Sequence, residues 1–159
     1  MNLFRALHMH KILVLHGPNV NLLGTRDSQA CKGRSLRQID ENLKILANTQ
    51  DIDLYARQTN SEGELINLIQ KSKYYSTNYI IINAAAYAYT SIAIRDALIG
   101  VEIPFIELHL SNIHAQETFR HHSYLSDIAV GTITGLGPIS YELALAAAIS
   151  QLKNVTQNE

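Results

Sequence analysis

The sequence has a single cysteine, Cys31. That excludes an internal disulfide and fits a reducing, cytoplasmic setting. It also lacks a charge of one sign. Thirteen Lys and Arg against fourteen Asp and Glu leave a net charge of −1, and no Lys/Arg cluster stands out. A nucleic-acid partner is therefore not expected. No apolar run approaches the roughly 18 residues of a membrane span. No phosphate-binding glycine motif is present. Gly17-Pro-Asn is neither a P-loop nor a dinucleotide fingerprint, and Gly135-Leu-Gly137 comes late with only two glycines. No nucleotide cofactor is expected. His109, His114, His121 and His122 match no zinc spacing and have no cysteine beside them, so no metal is expected either. There is no serine-centred nucleophile elbow, and no internal repeat or linker.

What is there reads as one globular domain over residues 1–159. Hydrophobic residues make up 47% and charged residues 17%, enough apolar content for a core. Residues 1–10 read as an N-terminal extension, too short in its apolar part for a signal peptide. Met9 is a second candidate start. The polar tail, 153–159, is expected to fray.

Periodicity then sets the order of elements. Short apolar runs predict strands at 11–15, 52–58, 79–82, 104–110 and 128–133. Ser35-Leu-Arg-Gln38 is a capping box that opens a helix with Leu36, Ile39, Leu43 and Leu46 on one face. Further helices are predicted over 62–71, with Asn60 as the cap, over 92–99 after Thr90 or Ser91, and over 139–152 behind Pro138. Strands alternating with helices imply a parallel sheet covered on both faces. Five strands suggest an α/β, flavodoxin-like, doubly wound domain. Ligands in such sheets bind beyond the carboxyl ends of the strands, near the switch point. The loops that emerge there carry Asn19 and Arg26, then Asn83 and Tyr89, then His109, Ser111 and Arg120.

One stretch stands out, Pro104-Phe-Ile-Glu107-Leu-His109-Leu-Ser-Asn112. Glu107 and His109 are two apart in a strand and share a face. An ionisable pair in a buried strand is costly unless satisfied. It is either a histidine held by a carboxylate inside the core, or an acid–base histidine oriented by its partner. Other positions also carry two readings. Asn83 is a turn cap or an amide that holds a ligand. Cys31, beside Lys32, is an incidental thiol or a reactive one. Arg95-Asp96 reads as a surface or subunit salt bridge.

Several long motifs, in order, resemble type II 3-dehydroquinate dehydratase. They are Leu15-His-Gly-Pro-Asn-Val-Asn-Leu-Leu-Gly-Thr-Arg26, Asn60-Ser-Glu-Gly-Glu-Leu65, Thr90-Ser-Ile-Ala-Ile-Arg-Asp-Ala-Leu98 and Glu107-Leu-His-Leu-Ser-Asn-Ile-His114 through Phe119-Arg-His-His-Ser-Tyr-Leu-Ser126. The resemblance implies a flavodoxin-like fold, a trimer-based homododecamer, and elimination of water from 3-dehydroquinate through an enolate in the shikimate pathway. It implies no metal, cofactor or Schiff base. It makes His109 the general acid and Glu107 its orienter. Asn19 and Asn83 would hold ligand or water near the enolate oxygen. Leu110 and Ser111 would meet the substrate carboxylate, Arg120 the ring hydroxyls, and Arg26 the charge of the transition state. Asp96 would reach a neighbouring subunit's site.

The sequence departs from the family on three loops. The tyrosine base of the lid and its following glycine align with Cys31 and Lys32. A histidine after the third strand becomes Tyr89, and an arginine becomes Gln116. Ala84-Ala85 stands for a more usual Pro-Gly pair. A thiol is acidic enough to act as a base but much shorter than a phenol. The sequence therefore implies weakened dehydratase activity. The alternative is an inactive homologue that binds a dehydroquinate-like ligand or serves a structural role.

Overall fold

The computed structural model describes residues 9–25 and 33–156. Five strands form one sheet: β1 (His10–His16), β2 (Ile52–Gln58), β3 (Tyr79–Asn83), β4 (Phe105–His109) and β5 (Gly131–Thr134). The order is β2-β1-β3-β4-β5, and every pairing is parallel. Four helices cover it: α1 (Leu36–Asn48), α2 (Glu62–Tyr74), α3 (Ile92–Val101) and α4 (Ile139–Thr156). The doubly wound flavodoxin-like order expected from the sequence is the one observed.

Strand alternation divides the core in two. Ile12, Val14, Ile81, Ile106 and Leu108 pack with Ile39 and Leu43 of α1 and with Tyr141, Leu145 and Ala148 of α4. Leu13, Leu15, Ile80, Ile82 and Phe105 pack on the other face with Leu65, Ile69, Ile94 and Leu98 of α2 and α3. Both faces of the central strands are apolar, as a sheet buried on both sides requires.

The capping box at Ser35 is present. Gln38 donates its backbone N–H to the Ser35 hydroxyl at 3.3 Å, and Ser35 donates its backbone N–H to the Gln38 side-chain Oε1 at 2.9 Å. The inner face of α1 is Ile39, Leu43 and Ala47, while Leu46 is exposed. An i, i+4, i+8 stripe places small Ala47 where the helix meets the sheet, and Leu46 lies one residue round the axis. The cap of α2 is Ser61, not Asn60. Asn60 instead accepts from the Asn19 backbone N–H at 2.9 Å and from Gln58 Nε2 at 3.0 Å, so it holds the loop after β1. Ser91 caps α3, accepting from the Ile94 N–H at 3.0 Å.

Several expected boundaries shift. Strand five begins at Gly131, not residue 128. Ile128 and Ala129 are held in a turn on the Leu125 carbonyl and pack on the α2–α3 side of the core. Their hydrophobicity serves that cover rather than the sheet. His10 already belongs to β1. Helix α4 continues to Thr156, past the expected start of fraying at 153. Arg95 also departs from expectation. It reaches Asp127, with Nη2 at 2.9 Å from Oδ2, and donates to the Tyr124 carbonyl at 2.7 Å. Neighbours i and i+1 on a helix do not face each other, so Asp96 is the wrong partner.

Candidate active site

Strand β1 pairs with β2 on one side and β3 on the other, so the chain winds outward in both directions from this point. The loops leaving β1 and β3 diverge there and leave a crevice. Gly17 donates its N–H to the Asn83 carbonyl at 2.8 Å, joining the two loops. A side chain at Gly17 would place its Cβ 2.4 Å from the Ala84 carbonyl oxygen, so only glycine permits that approach.

A cavity of about 310 Å³ opens above this clamp. Asn19 lines it from the loop after β1, Asn83, Ala85 and Tyr89 from the end of β3 and its exit, and His109, Leu110 and Ser111 from the end of β4. Gln116 and Arg120 close the far side. Seven of the expected site residues therefore meet in one place: Asn19, Asn83, Tyr89, His109, Leu110, Ser111 and Arg120. Glu107 lies beneath them, fully buried. Asp96 does not join them. It is exposed on α3 and lines a separate groove against α2 with Ile66, Lys73 and Tyr74. Arg26 and Cys31 lie outside the described residues.

Glu107 is the electrostatic anchor. His109 donates from Nε2 to its Oε1 at 2.8 Å, the Ser123 hydroxyl donates to the same oxygen, and the Ser126 hydroxyl donates to Oε2 at 2.7 Å. Burial alone would raise the carboxyl pKa. The histidine and the two hydroxyls outweigh that and hold it below its ordinary value, so the carboxylate is charged at neutral pH. Arg95, through Asp127, braces the segment that brings in both serines. No local pattern marks Ser123 or Ser126 as partners of Glu107, which lies 16 and 19 residues away in another element.

With Nε2 committed to Glu107, His109 turns Nδ1 toward the cavity. The Tyr89 hydroxyl lies 3.4 Å from it, a long contact, and the two rings stack with centroids 5.7 Å apart. Burial raises the Tyr89 pKa, and Arg120, whose guanidinium lies 5.7 Å from the ring centroid, only partly offsets this. Tyr89 is therefore a protonated phenol at neutral pH. Arg120 is steadied by Glu117, Nε to Oε2 at 2.9 Å, and packs on Phe119 as well. Among the described residues no three potential ligands cluster as a metal site would need. His121 instead bonds the Gln116 carbonyl at 2.9 Å.

On the opposite face of the sheet lies a second polar cluster that sequence reading missed. His16 contacts Tyr141 Oη through Nδ1 at 2.7 Å and Asp40 Oδ1 through Nε2 at 2.9 Å. Asn83 Nδ2 donates to the same tyrosine oxygen at 3.1 Å, and its Oδ1 accepts from the Ala85 N–H at 3.2 Å. Asn83 is thus both the turn cap and a cavity-facing amide.

A doubly wound α/β domain with a carboxylate-oriented histidine beside its switch-point crevice fits a class: acid–base enzymes acting on small polar molecules. The family model described as "Dehydroquinase class II" matches residues 10–149. A 3-dehydroquinate dehydratase of Bordetella avium is 59% identical over 138 residues, covering 87% of this chain and 96% of that one. The crystal structure of a type II dehydroquinase from Propionibacterium acnes superposes with a TM-score of 0.84 at 40% identity, covering 90% of this chain and 99% of that one. One from Butyrivibrio crossotus gives 0.85 at 35% identity, covering 88% and 97%. The chain belongs to the class II dehydroquinase family.

Proposed function

We propose that this protein is a 3-dehydroquinate dehydratase, a hydro-lyase, working with a weakened general base. The observation that carries the mechanism is the Glu107–His109 pair, with Nδ1 aimed into a cavity of amides, a hydroxyl and a guanidinium. A base removes the proton beside the ketone and leaves an enolate, with charge on the ketone oxygen. The Asn19 and Asn83 amides hold that oxygen, or a water beside it. His109, as imidazolium, then gives its Nδ1 proton to the departing hydroxyl, which leaves as water. Glu107 accepts from Nε2 throughout and holds the ring with Nδ1 toward the substrate. Leu110 and Ser111 meet the substrate carboxylate. Arg120 takes the ring hydroxyls, and Arg26 stabilises developing charge.

The base is the weak point. By resemblance Cys31 stands in sequence for the family's lid tyrosine, and a base misplaced by about 1 Å costs roughly a hundredfold. Tyr89 does not replace it, because burial keeps the phenol protonated and its hydroxyl sits on His109 rather than free in the cavity. Substrate must displace that hydroxyl for Nδ1 to reach the leaving group. Asp96, remote from its own subunit's cavity, suits service to a neighbour's site in a trimer-based homododecamer. Among the described residues no helix is long and apolar enough to cross a membrane.

The test is the ultraviolet absorbance of the conjugated product. Turnover is expected more than tenfold below an ordinary family member, and to rise in the Cys31→Tyr, Tyr89→His, Gln116→Arg variant. No product from either protein would leave the inactive-homologue reading in place. Ordinary turnover in the native protein would refute the weakened base.

A further inference from the structure

We propose that His16 and Tyr141 are positioning residues: a one-way chain of hydrogen bonds, Asn83 to Tyr141 to His16 to Asp40, fixes which end of the Asn83 amide faces the ligand. The inference rests on the reading that Asn83 touches the substrate.

The direction follows from what each group can do. A carboxylate only accepts, so the 2.9 Å contact with Asp40 requires the proton of His16 to sit on Nε2. In the neutral ring Nδ1 is then an acceptor, and at 2.7 Å the Tyr141 hydroxyl donates to it. Having given its proton to His16, the tyrosine oxygen faces Asn83 as an acceptor. It receives an N–H from Nδ2 at 3.1 Å. The amide is thereby locked, with Oδ1 turned to the Ala85 N–H at 3.2 Å. The second N–H of Nδ2 is left for the cavity. An amide free to flip would present a carbonyl there half the time, and a carbonyl repels an enolate oxygen. The chain converts an ambiguous side chain into a fixed donor.

Geometry explains why these four elements meet. His16 and Asn83 are register partners on adjacent strands, and both face α1 and α4. Asp40 on α1 and Tyr141 on α4 come from that side. His16 and Tyr141 are fully buried, while Asp40 is 23% exposed, so the chain runs from the cavity to the protein surface. His16, Tyr141 and Asp40 do not line the cavity.

Two experiments decide it. The first is nitrogen-15 NMR of the native protein at neutral pH. The chain requires His16 with Nε2 protonated and Nδ1 as acceptor. A Nδ1-protonated ring would overturn it, whatever the enzyme turns over. The second is a double-mutant cycle on dehydration of 3-dehydroquinate. Tyr141→Phe is expected to lower kcat about fivefold with little change in KM, and Asn83→Ala about a hundredfold. If Tyr141 acts through Asn83, the double variant is no slower than Asn83→Ala alone. Multiplying losses would mean that Tyr141 supports the fold generally, and the proposal would fail. If the native protein turns nothing over, the dehydratase reading falls instead. The same cycle is then read on 3-dehydroquinate affinity, where multiplying losses again overturn the relay.

Discussion

Two buried histidines close two strands of one sheet, His109 on β4 and His16 on β1, and they face opposite sides. Each sits against a carboxylate, at 2.8 and 2.9 Å. Burial and charge partner are nearly the same, so neither property tells a reactive histidine from a supporting one. The difference lies in the second nitrogen. In His16 both nitrogens are tied by short bonds within the fold. In His109 one is tied, and the other has only a 3.4 Å contact with a phenol that a ligand can displace. A histidine is available for chemistry when one ring nitrogen is left loosely held.

The sharpest way to break that contrast is to remove each ring in turn. His109→Ala is expected to lower kcat by 10²–10⁴-fold, the usual worth of a general acid. It also leaves the buried Glu107 carboxylate short of a partner, so the thermal unfolding midpoint should fall as well. A fall in kcat below tenfold would take the acid role from His109. His16→Ala reaches the reaction only through Asn83 and should weigh mainly on stability. It leaves Tyr141 and Asp40 without their shared partner and opens a cavity, costing about 2–4 kcal/mol in urea unfolding. A variant as stable as the native protein would mean that the second cluster is not structural.

A smaller effect reports on Glu107 through pH. Glu107 has a folded pKa below its ordinary value of 4.5. Its stabilisation is complete above that value and is lost as pH falls through the folded value. Stability of the native protein should therefore drop on acidification below about 4.5, and Glu107→Gln should make that drop shallower. An unchanged acid limb would show that Glu107 is not the group responsible. The smallest effect is at Ala85, held at φ 51°, where a side chain costs about 1 kcal/mol. Ala85→Gly is expected to raise unfolding stability by up to that amount, and a loss would point to packing of the methyl group.

The sequence revealed the fold through periodicity, because a sheet buried on both faces leaves short apolar runs and its helices leave an amphipathic stripe. The first cluster was legible because Glu107 and His109 are two residues apart in one strand. The second was not. His16 finds Asp40 24 residues on and Tyr141 125 residues on, and no local pattern signals either. One faint sign was available: His16 shares the parity of Ile12 and Val14, so a polar ring was due to fall on an apolar face. Strand five was misplaced because Ile128 and Ala129 are apolar for the sake of a turn that covers the core. Asp96 was readable only as a helix residue, since its distance from the cavity depends on how α3 packs.

The clamp at Gly17 has a consequence for anyone who randomises this protein. A methyl group there would collide with the Ala84 carbonyl at 2.4 Å, and backbone cannot step aside as a side chain would. Position 17 should thus be among the least permissive in a saturation library, although it contributes no atom to any reaction. Tyr89 and Gln116 line the same cavity from the segments after β3 and β4 and face it with side chains rather than backbone. New specificities would come from rewriting those positions around a clamp that admits one residue.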